Sequence, residues 1–329
     1  MCRCKFRNAF SIIELLVVIG VAAIALAVAL PAAQHTRAKA RRIQCALRLS
    51  ELSIATNIHL STYNTFPYTS KNFGVFVNGS AKRFPAISPH SQLLASLDQA
   101  AFEKVAIFDP SLSWTDRQPI STVESNRILI KTSMPMFLCP SDSGPVGGNN
   151  YRANLGPDIG VFRGSPPTTH NGIGAFENGR ALSPSSFSDG LSNTIMYSEK
   201  VIGDRNRTVY QAFRDNFVFS PGFTNRDEAA RTCRQFATST PLSHDSFGGT
   251  TWLFGGYNHT WYNHVATPNS FIPDCCTGLS FGGGDGLYTA RSLHHGGVNV
   301  GMADGSTNFI SNSIDALVWL QQSTRSSGD

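Results

Sequence analysis

The residues with the clearest chemical potential lie near the C-terminal end, where His294 is followed by nine residues and then Asp304-Gly305. With His295 they supply three metal-capable groups, which form a site only where the chain brings them together. Asp304-Gly305 falls between VNVGM and STNFI and predicts a type I′ hairpin turn, so the motif reads as structural first. His294 is then expected to bond the turn or the Asp304 carboxylate, and no metal or other cofactor is assigned. Asp189-Gly190, within SFSDGLSNT, reads likewise as a turn. GGGDG at 282–286, with Asp274 or Asp285, has the oxygen ligands of a calcium site but is read as a flexible loop. His244, His259 and His264 are scattered among Ser and Asp residues whose order alone assembles no triad. G-x-S-x-G, P-loop, dinucleotide and H-E-x-x-H patterns are absent from the sequence, so no enzymatic activity is expected. Trp252, Phe254, Tyr257, Trp261 and Tyr262 could stack on a sugar ring, although the core of a β domain is the preferred reading.

The elements that must position these groups follow from composition and pattern. The chain has 329 residues, 41% hydrophobic and 15% charged, enough to bury a sizeable core and too apolar for extended disorder. Gly (29) and Pro (17) with many Ser, Thr and Asn favour short strands and turns. Strands are expected at 73–77, 127–130, 160–162, 194–198, 209–213 and 298–302, with one helical stretch at 88–108. The expected fold class is α+β, a long N-terminal helix continuing into a β-rich domain.

That helix carries the strongest signal. Residues 15–30, LLVVIGVAAIALAVAL, contain no charge, and the apolar stretch from Ile12 to Ala33 is about 33 Å long as a helix, enough to cross a bilayer core. A secretory signal would end at an A-x-A-like site before a soluble chain. Here helix-compatible residues continue to about Leu60, with Pro31 as a kink and an end near Asn64 and Pro67. Ile43, Leu47, Ile54 and Ile58, with Leu49 and Leu52, predict an amphipathic second half packed on the body.

The net charge of +5 owes three units to Arg3, Lys5 and Arg7. The remaining excess clusters at Arg37, Lys39, Arg41 and Arg42, beside the apolar run, which fits a membrane edge and gives no reason to expect nucleic acid. Beyond Cys2 and Cys4 lie five cysteines (Cys45, Cys139, Cys233, Cys275, Cys276) whose pairing the spacing leaves open; Cys45 is read as a packed thiol. Glu14 is the anomaly, since a carboxylate near the start of a lipid-embedded helix costs a few kcal/mol without a cationic partner. A cut between Ala9 and Phe10 would place a new α-amino group about one helical turn away.

The stretch RNAFSIIELLVVIGVAAIALAVALPAAQ resembles the type IV prepilin N-terminus: a basic leader, a small residue, Phe, the I-E-L-L run and a later Pro. The resemblance implies that a prepilin peptidase cuts after Ala9 and N-methylates Phe10, that Glu14 is the fifth mature residue, and that Pro31 is the kink proline. The family has Gly where this chain has Ala9, the next smallest residue. Further pieces resemble prepilin-like proteins that carry a large domain of unknown function and a C-terminal His, nine residues, Asp-Gly motif. These are ARRIQCALRLSELSIATNIHLSTYNTFP, FLCPSD, NNYRANLG, SFSDGLSNTIMYSEK, YNHVATPNS and ARSLHHGGVNVGMADGSTNFI, the last holding His294, Asp304 and Gly305.

Together these readings imply a leader at 1–9, a membrane and pilin helix at 10–33, its amphipathic continuation at 34–64 and a β-rich extracytoplasmic domain at 65–329. The expected protein is a single-pass subunit of the bacterial inner membrane, possessing as partners a prepilin peptidase, other pilin-like subunits and membrane lipid, and assembling into a type II secretion or type IV pilus-like filament. The competing reading is a stationary anchor that displays a glycan-binding domain through the aromatic group.

Overall fold

The computed structural model describes residues 12–69, 74–77, 80–83, 87–104, 128–160, 173–219, 222–237, 243–278 and 283–327. The leader at 1–9, Ala9, Phe10 and Gly282 lie outside them, as do the expected strand residues Phe73, Arg127, Val161 and Phe162 and the helical residues 105–108. The chain divides into two compact units, one ending at Ile43 and the other running from Gln44 to Asp329. It is an α+β protein in which a long helix leads into a domain built on a mixed sheet.

Helix α1 runs from Ile12 to Tyr63 and passes through Pro31 without a break. In its first part the large apolar side chains from Ile12 to Leu30 are exposed, each by more than half. It is the helix, among the described residues, that is long and apolar enough to cross a membrane. The helix stops where expected, because Asn64 adopts φ 57° and its N–H bonds the Leu60 carbonyl at 2.8 Å. This is a left-handed cap that Asn tolerates better than most residues.

The second part of α1 packs through a face other than the one expected. Cys45, Leu49, Leu52, Ala55, Thr56 and His59 are buried, at spacings of three and four that trace one side of a helix. Leu47, Ile54 and Ile58 are 58%, 52% and 47% exposed, so only Leu49 and Leu52 of the expected stripe face the body. Helix and sheet approach closely there, because a Cβ on Gly301 would lie 2.3 Å from Ser53 Oγ and 3.5 Å from Leu49 Cγ. Only small residues permit that approach of helix and sheet.

The strands, in chain order, are β1 (Gly74–Val77), β2 (Ser80–Arg83), β3 (Tyr151–Asn154), β4 (Ile195–Glu199), β5 (Asn216–Phe219), β6 (His244–Asp245), β7 (Trp261–Tyr262), β8 (Cys275–Thr277), β9 (Gly297–Met302) and β10 (Thr307–Ser311). The main sheet has the order β10-β9-β4-β3-β7, antiparallel except for the β3–β7 pair. A smaller sheet, β6-β5-β8, and the antiparallel β1–β2 pair complete the set among the described residues. β3, β4 and β9 are buried along their whole length, as expected of central strands.

The strand expected at 209–213 forms later, at β5. Asp215 Oδ2 accepts from Gln211 N at 2.7 Å while the Gln211 carbonyl accepts from Arg214 N and Asp215 N, which closes a turn instead. Ile128–Ile130 makes a helical turn, with Lys131 N bonding Ile128 O at 3.1 Å, and Gly160 lies outside any strand. The helix expected at 88–108 breaks into α2 (Pro89–Gln92), a 3₁₀ turn at Ala95–Leu97 and α3 (Ala100–Glu103). The break falls at Asp98, whose φ of 58° no α-helix accommodates. Two further helices are α4 (Arg226–Gln235), capped by the Asn225 side chain on Glu228 N, and α5 (Ala316–Gln321), capped by Asp315.

Candidate functional site

Among the described residues, a tight group of chemically capable side chains sits where α1 meets the main sheet. Cys45 on α1 forms a disulfide with Cys139, which follows the 3₁₀ turn at Pro135–Phe137, with Cα atoms 4.9 Å apart. Glu199, the last residue of β4, and His294, in the loop before β9, lie against it. His294 Nε2 is 3.1 Å from Glu199 Oε1 and 3.5 Å from Cys139 Sγ. One potential ligand atom from each of the four residues falls within 4.8 Å of the others, and all four residues are buried.

Backbone geometry explains why these groups meet. Glu199 and Lys200 are neighbours at the end of β4 and point to opposite sides, so each finds its own counterpart. Glu199 Oε2 accepts from Asn299 N at 2.7 Å and Oε1 from Asn299 Nδ2 at 3.0 Å, which fixes the carboxylate against β9. With those acceptors oriented, the short contact to Oε1 assigns the proton of His294 to Nε2. The His294 backbone N donates to Ser292 Oγ at 3.2 Å, and that hydroxyl donates to Gly297 O at 2.6 Å, so the loop carrying the imidazole is held at both ends.

His294 therefore bonds neither the turn nor Asp304, contrary to the sequence expectation. Asp304 Oδ1 accepts from Ser306 N and Ser306 Oγ, at 2.8 and 2.7 Å, inside the β9–β10 loop. That loop has three residues, because Met302 N bonds Ser306 O while Gly305 N bonds Met302 O, and only Gly305 takes positive φ, at 96°. It is a turn followed by a left-handed glycine, and the two-residue type I′ turn expected from Asp-Gly does not form. Asp304 and Gly305 line, with Ile54, Asn57, Ile58, Ser61 and Thr62 of α1, an open groove of about 450 Å³.

On the other side of β4 lies a buried ionic cluster. Lys200 Nζ bonds Asp274, whose Oδ1 also accepts from Arg291 Nη2 at 2.9 Å, and Thr289 N adds a contact at 3.2 Å. Burial pulls the Lys200 amine down to about 7 against the opposing pull of Asp274. Burial alone would raise the Asp274 carboxyl, yet Arg291 and Lys200 outweigh it and hold the group at about 2. Both oxygens of Asp274 are thus engaged inside this cluster. The glycines of 283–286 answer to close packing: a Cβ on Gly284 would lie 1.7 Å from Thr277 O, and one on Gly286 2.0 Å from Cys275 O.

The remaining candidates disperse. His264 is stacked on Trp319 with centroids 3.9 Å apart and bonds Tyr262 Oη at 2.8 Å, and burial holds it near 3. His244 lies 3.7 Å from Asp215, and His259 faces Phe254. Asp189 sits in a turn closed by Gly190 N on Phe187 O at 3.1 Å, and its Oδ2 accepts from Ser327 N at 2.8 Å, tying down the C-terminal segment. Trp252, Phe254, Tyr257, Trp261 and Tyr262 are all buried, so they form core and present no face to a sugar. Cys45 is half of a disulfide and not a packed thiol. Cys233 on α4 pairs with Cys275 on β8, and Cys276 remains as a buried thiol pushed up to about 12 by burial.

Residues 34–317, which include all four members of the cluster as well as Asp304 and Gly305, match the family described as "Protein of unknown function (DUF1559)". The chain belongs to the DUF1559 family. No curated protein and no solved structure matches it significantly. In this DUF1559 chain the quoted sequence pieces converge: ARRIQCALRL brings Cys45, FLCPSD brings Cys139, MYSEK brings Glu199 and ARSLHHGG brings His294. The sequence pointed to His294 but not to its partners. The signal that existed was one cysteine, acid or imidazole in each of four separate pieces, and nothing local connects them.

Proposed function

We propose that this DUF1559 protein is a non-enzymatic, membrane-anchored pilin-like subunit, cut by a prepilin peptidase between Ala9 and Phe10 and assembled with other pilin-like subunits into a type II secretion or type IV pilus-like filament. The observation that carries the reading is α1 itself. One helix holds an exposed, charge-poor apolar part and then a part covalently tied to the folded domain by Cys45–Cys139. Two disulfides support placing the domain in an oxidising, extracytoplasmic compartment, with the leader on the cytoplasmic side. The exposed stripe Leu47, Ile54 and Ile58 supports contact with a neighbouring helix, since an apolar row left uncovered on a helix is the usual mark of a partner surface. Glu14, in the first turn of α1, supplies the acid that an N-methylated amine on Phe10 neutralises.

Mass spectrometry of the protein from its native membrane tests this. The expected mature chain begins with N-methylated Phe10, and Glu14→Ala is expected to leave the monomer in the membrane while abolishing its assembly. An intact Met1, or a chain beginning near residue 34, removes the reading.

A further inference from the structure

The four-residue cluster has a donor set that a stabilising disulfide does not need. Fastening α1 to the body requires only Cys45 and Cys139, yet an imidazole nitrogen and an oriented carboxylate oxygen face the same sulfurs within 4.8 Å. Two thiolates, one imidazole and one carboxylate are a ligand set for Zn²⁺, a borderline-soft ion that takes sulfur, nitrogen and oxygen in tetrahedral array. At the usual bond lengths the edges of such a tetrahedron are about 3.3–3.8 Å. The His294 Nε2 to Cys139 Sγ distance of 3.5 Å and the Nε2 to Glu199 Oε1 distance of 3.1 Å are close to those edges already. The remaining donor separations are within 4.8 Å, and the two bonded sulfurs must part, which Cα atoms 4.9 Å apart allow by side-chain rotation. Asn299, holding both oxygens of Glu199, is the second layer that metal-binding carboxylates use.

We propose that the Cys45–Cys139 pair is one state of a two-state site, and that its reduced state binds one Zn²⁺ through Cys45, Cys139, Glu199 and His294. The conversion balances. A dithiol reductant delivers two electrons and two protons to the disulfide and leaves as its own disulfide. The two thiols then release their protons to solvent as the sulfurs bind the ion, and the His294 proton moves through solvent from Nε2 to Nδ1, so that a neutral imidazole binds through Nε2. In either state α1 stays fastened to the body, by a sulfur–sulfur bond or through the metal.

The test uses the full chain in detergent, reduced under mild denaturant, freed of metal with a chelator and returned anaerobically to native buffer with Zn²⁺ or Co²⁺. One Zn²⁺ per chain is expected, with Co²⁺ giving thiolate charge-transfer absorption, and none with the disulfide intact. Cys233→Ser should keep the metal, whereas Cys45→Ser with Cys139→Ser should lose it. His294→Gln should weaken binding by roughly tenfold or more, and Asn299→Ala by roughly 10–100-fold. If reduction alone unfolds the domain, added Zn²⁺ must restore its near-ultraviolet circular dichroism. The proposal is overturned if the reduced chain takes up no Zn²⁺, if Zn²⁺ fails to refold an unfolded reduced chain, if the double serine variant keeps the ion, or if His294→Gln binds as tightly as the unaltered protein.

Discussion

Asp274→Asn removes the single carboxylate that faces two buried cations, and the structure sets what that should cost. Lys200, Asp274 and Arg291 are each no more than 3% exposed, so water cannot replace the lost charge. Breaking a buried ion pair by removing one partner typically costs about 3–5 kcal/mol, because the other charge is left uncompensated. Arg291 retains the Ser270 and Ile272 carbonyls at 2.7 and 2.6 Å, and Lys200 retains Thr289 O at 3.1 Å, which places the expected loss near 3 and not 5.

The loss should depend on pH, with a definite sign. Lys200 already titrates at about 7 in the fold, against about 10.5 unfolded, and without Asp274 it falls further. Below 7 the variant can then shed a proton that the unaltered protein keeps, so its deficit shrinks as the pH rises towards 7 and is constant above. Urea unfolding of the full chain in detergent, followed by fluorescence of the buried Trp252, Trp261 and Trp319, measures this. Lys200→Met added to Asp274→Asn should recover about 1–3 kcal/mol by removing one orphaned charge. A single variant within about 1 kcal/mol of the parent at pH 7, or a deficit identical at pH 5 and pH 8, would refute the reasoning.

Two further outcomes follow from packing and burial. Gly301→Ala places a Cβ 2.3 Å from Ser53 Oγ and should cost about 1–3 kcal/mol, whereas Ser53→Ala, which removes the obstructing oxygen, should restore most of it; thermal unfolding of the single and double variants decides, and equal midpoints would dismiss the steric account. In acid, burial holds His90 and His264 neutral down to about 3, so between 6.5 and 3 the unfolded chain takes up protons that the fold refuses, and stability falls by about 1.4 kcal/mol per pH unit for each. Asp215, raised by burial to about 6, has the opposite sign between 3.8 and 6 and offsets one of the two histidines. Urea midpoints should therefore drop from pH 6.5 to pH 4 by the equivalent of roughly 4 kcal/mol, a slope that a His264→Asn variant should flatten and that a pH-independent midpoint would contradict.

What could be read in advance was whatever depends on near neighbours in sequence. The end of α1 at Asn64, β4 and β9, the aromatic core and the Asp189-Gly190 turn all follow from local pattern. The helix face that packs did not, because Leu47, Ile54 and Ile58 are as apolar as Leu49 and Leu52, and periodicity alone does not say which side meets the sheet. The break at Asp98 rests on one left-handed residue, and the turn that displaces β5 on a few hydrogen bonds between Gln211, Arg214 and Asp215, each inside an otherwise plausible run. The candidate site was legible only as His294, since its partners lie 95, 155 and 249 residues away in the sequence. The loop type at Asp304-Gly305 was misread because Asp-Gly suits both a two-residue turn and a three-residue loop, and the strand register decides between them.

The position of the disulfide bears on how an anchored domain resists being pulled from its helix. If α1 is the element through which neighbouring subunits hold the protein, force reaches the body through the chain after Tyr63 and through contacts along the packed face. Without a cross-link, those contacts would peel one by one from the end nearest the membrane. Along that face the individual polar ties are weak: Tyr151 Oη to Cys45 O and Thr56 Oγ1 to Tyr197 Oη, both 3.0 Å, contribute about 1 kcal/mol each. Cys45 is the first buried residue of α1, so the covalent link lies at the point where peeling would begin. A link placed at Thr56 or His59 would leave Leu49 and Leu52 free to open first. The geometry therefore protects the whole interface with one bond at its leading edge, and the cluster of Cys139, Glu199 and His294 sits at the same place.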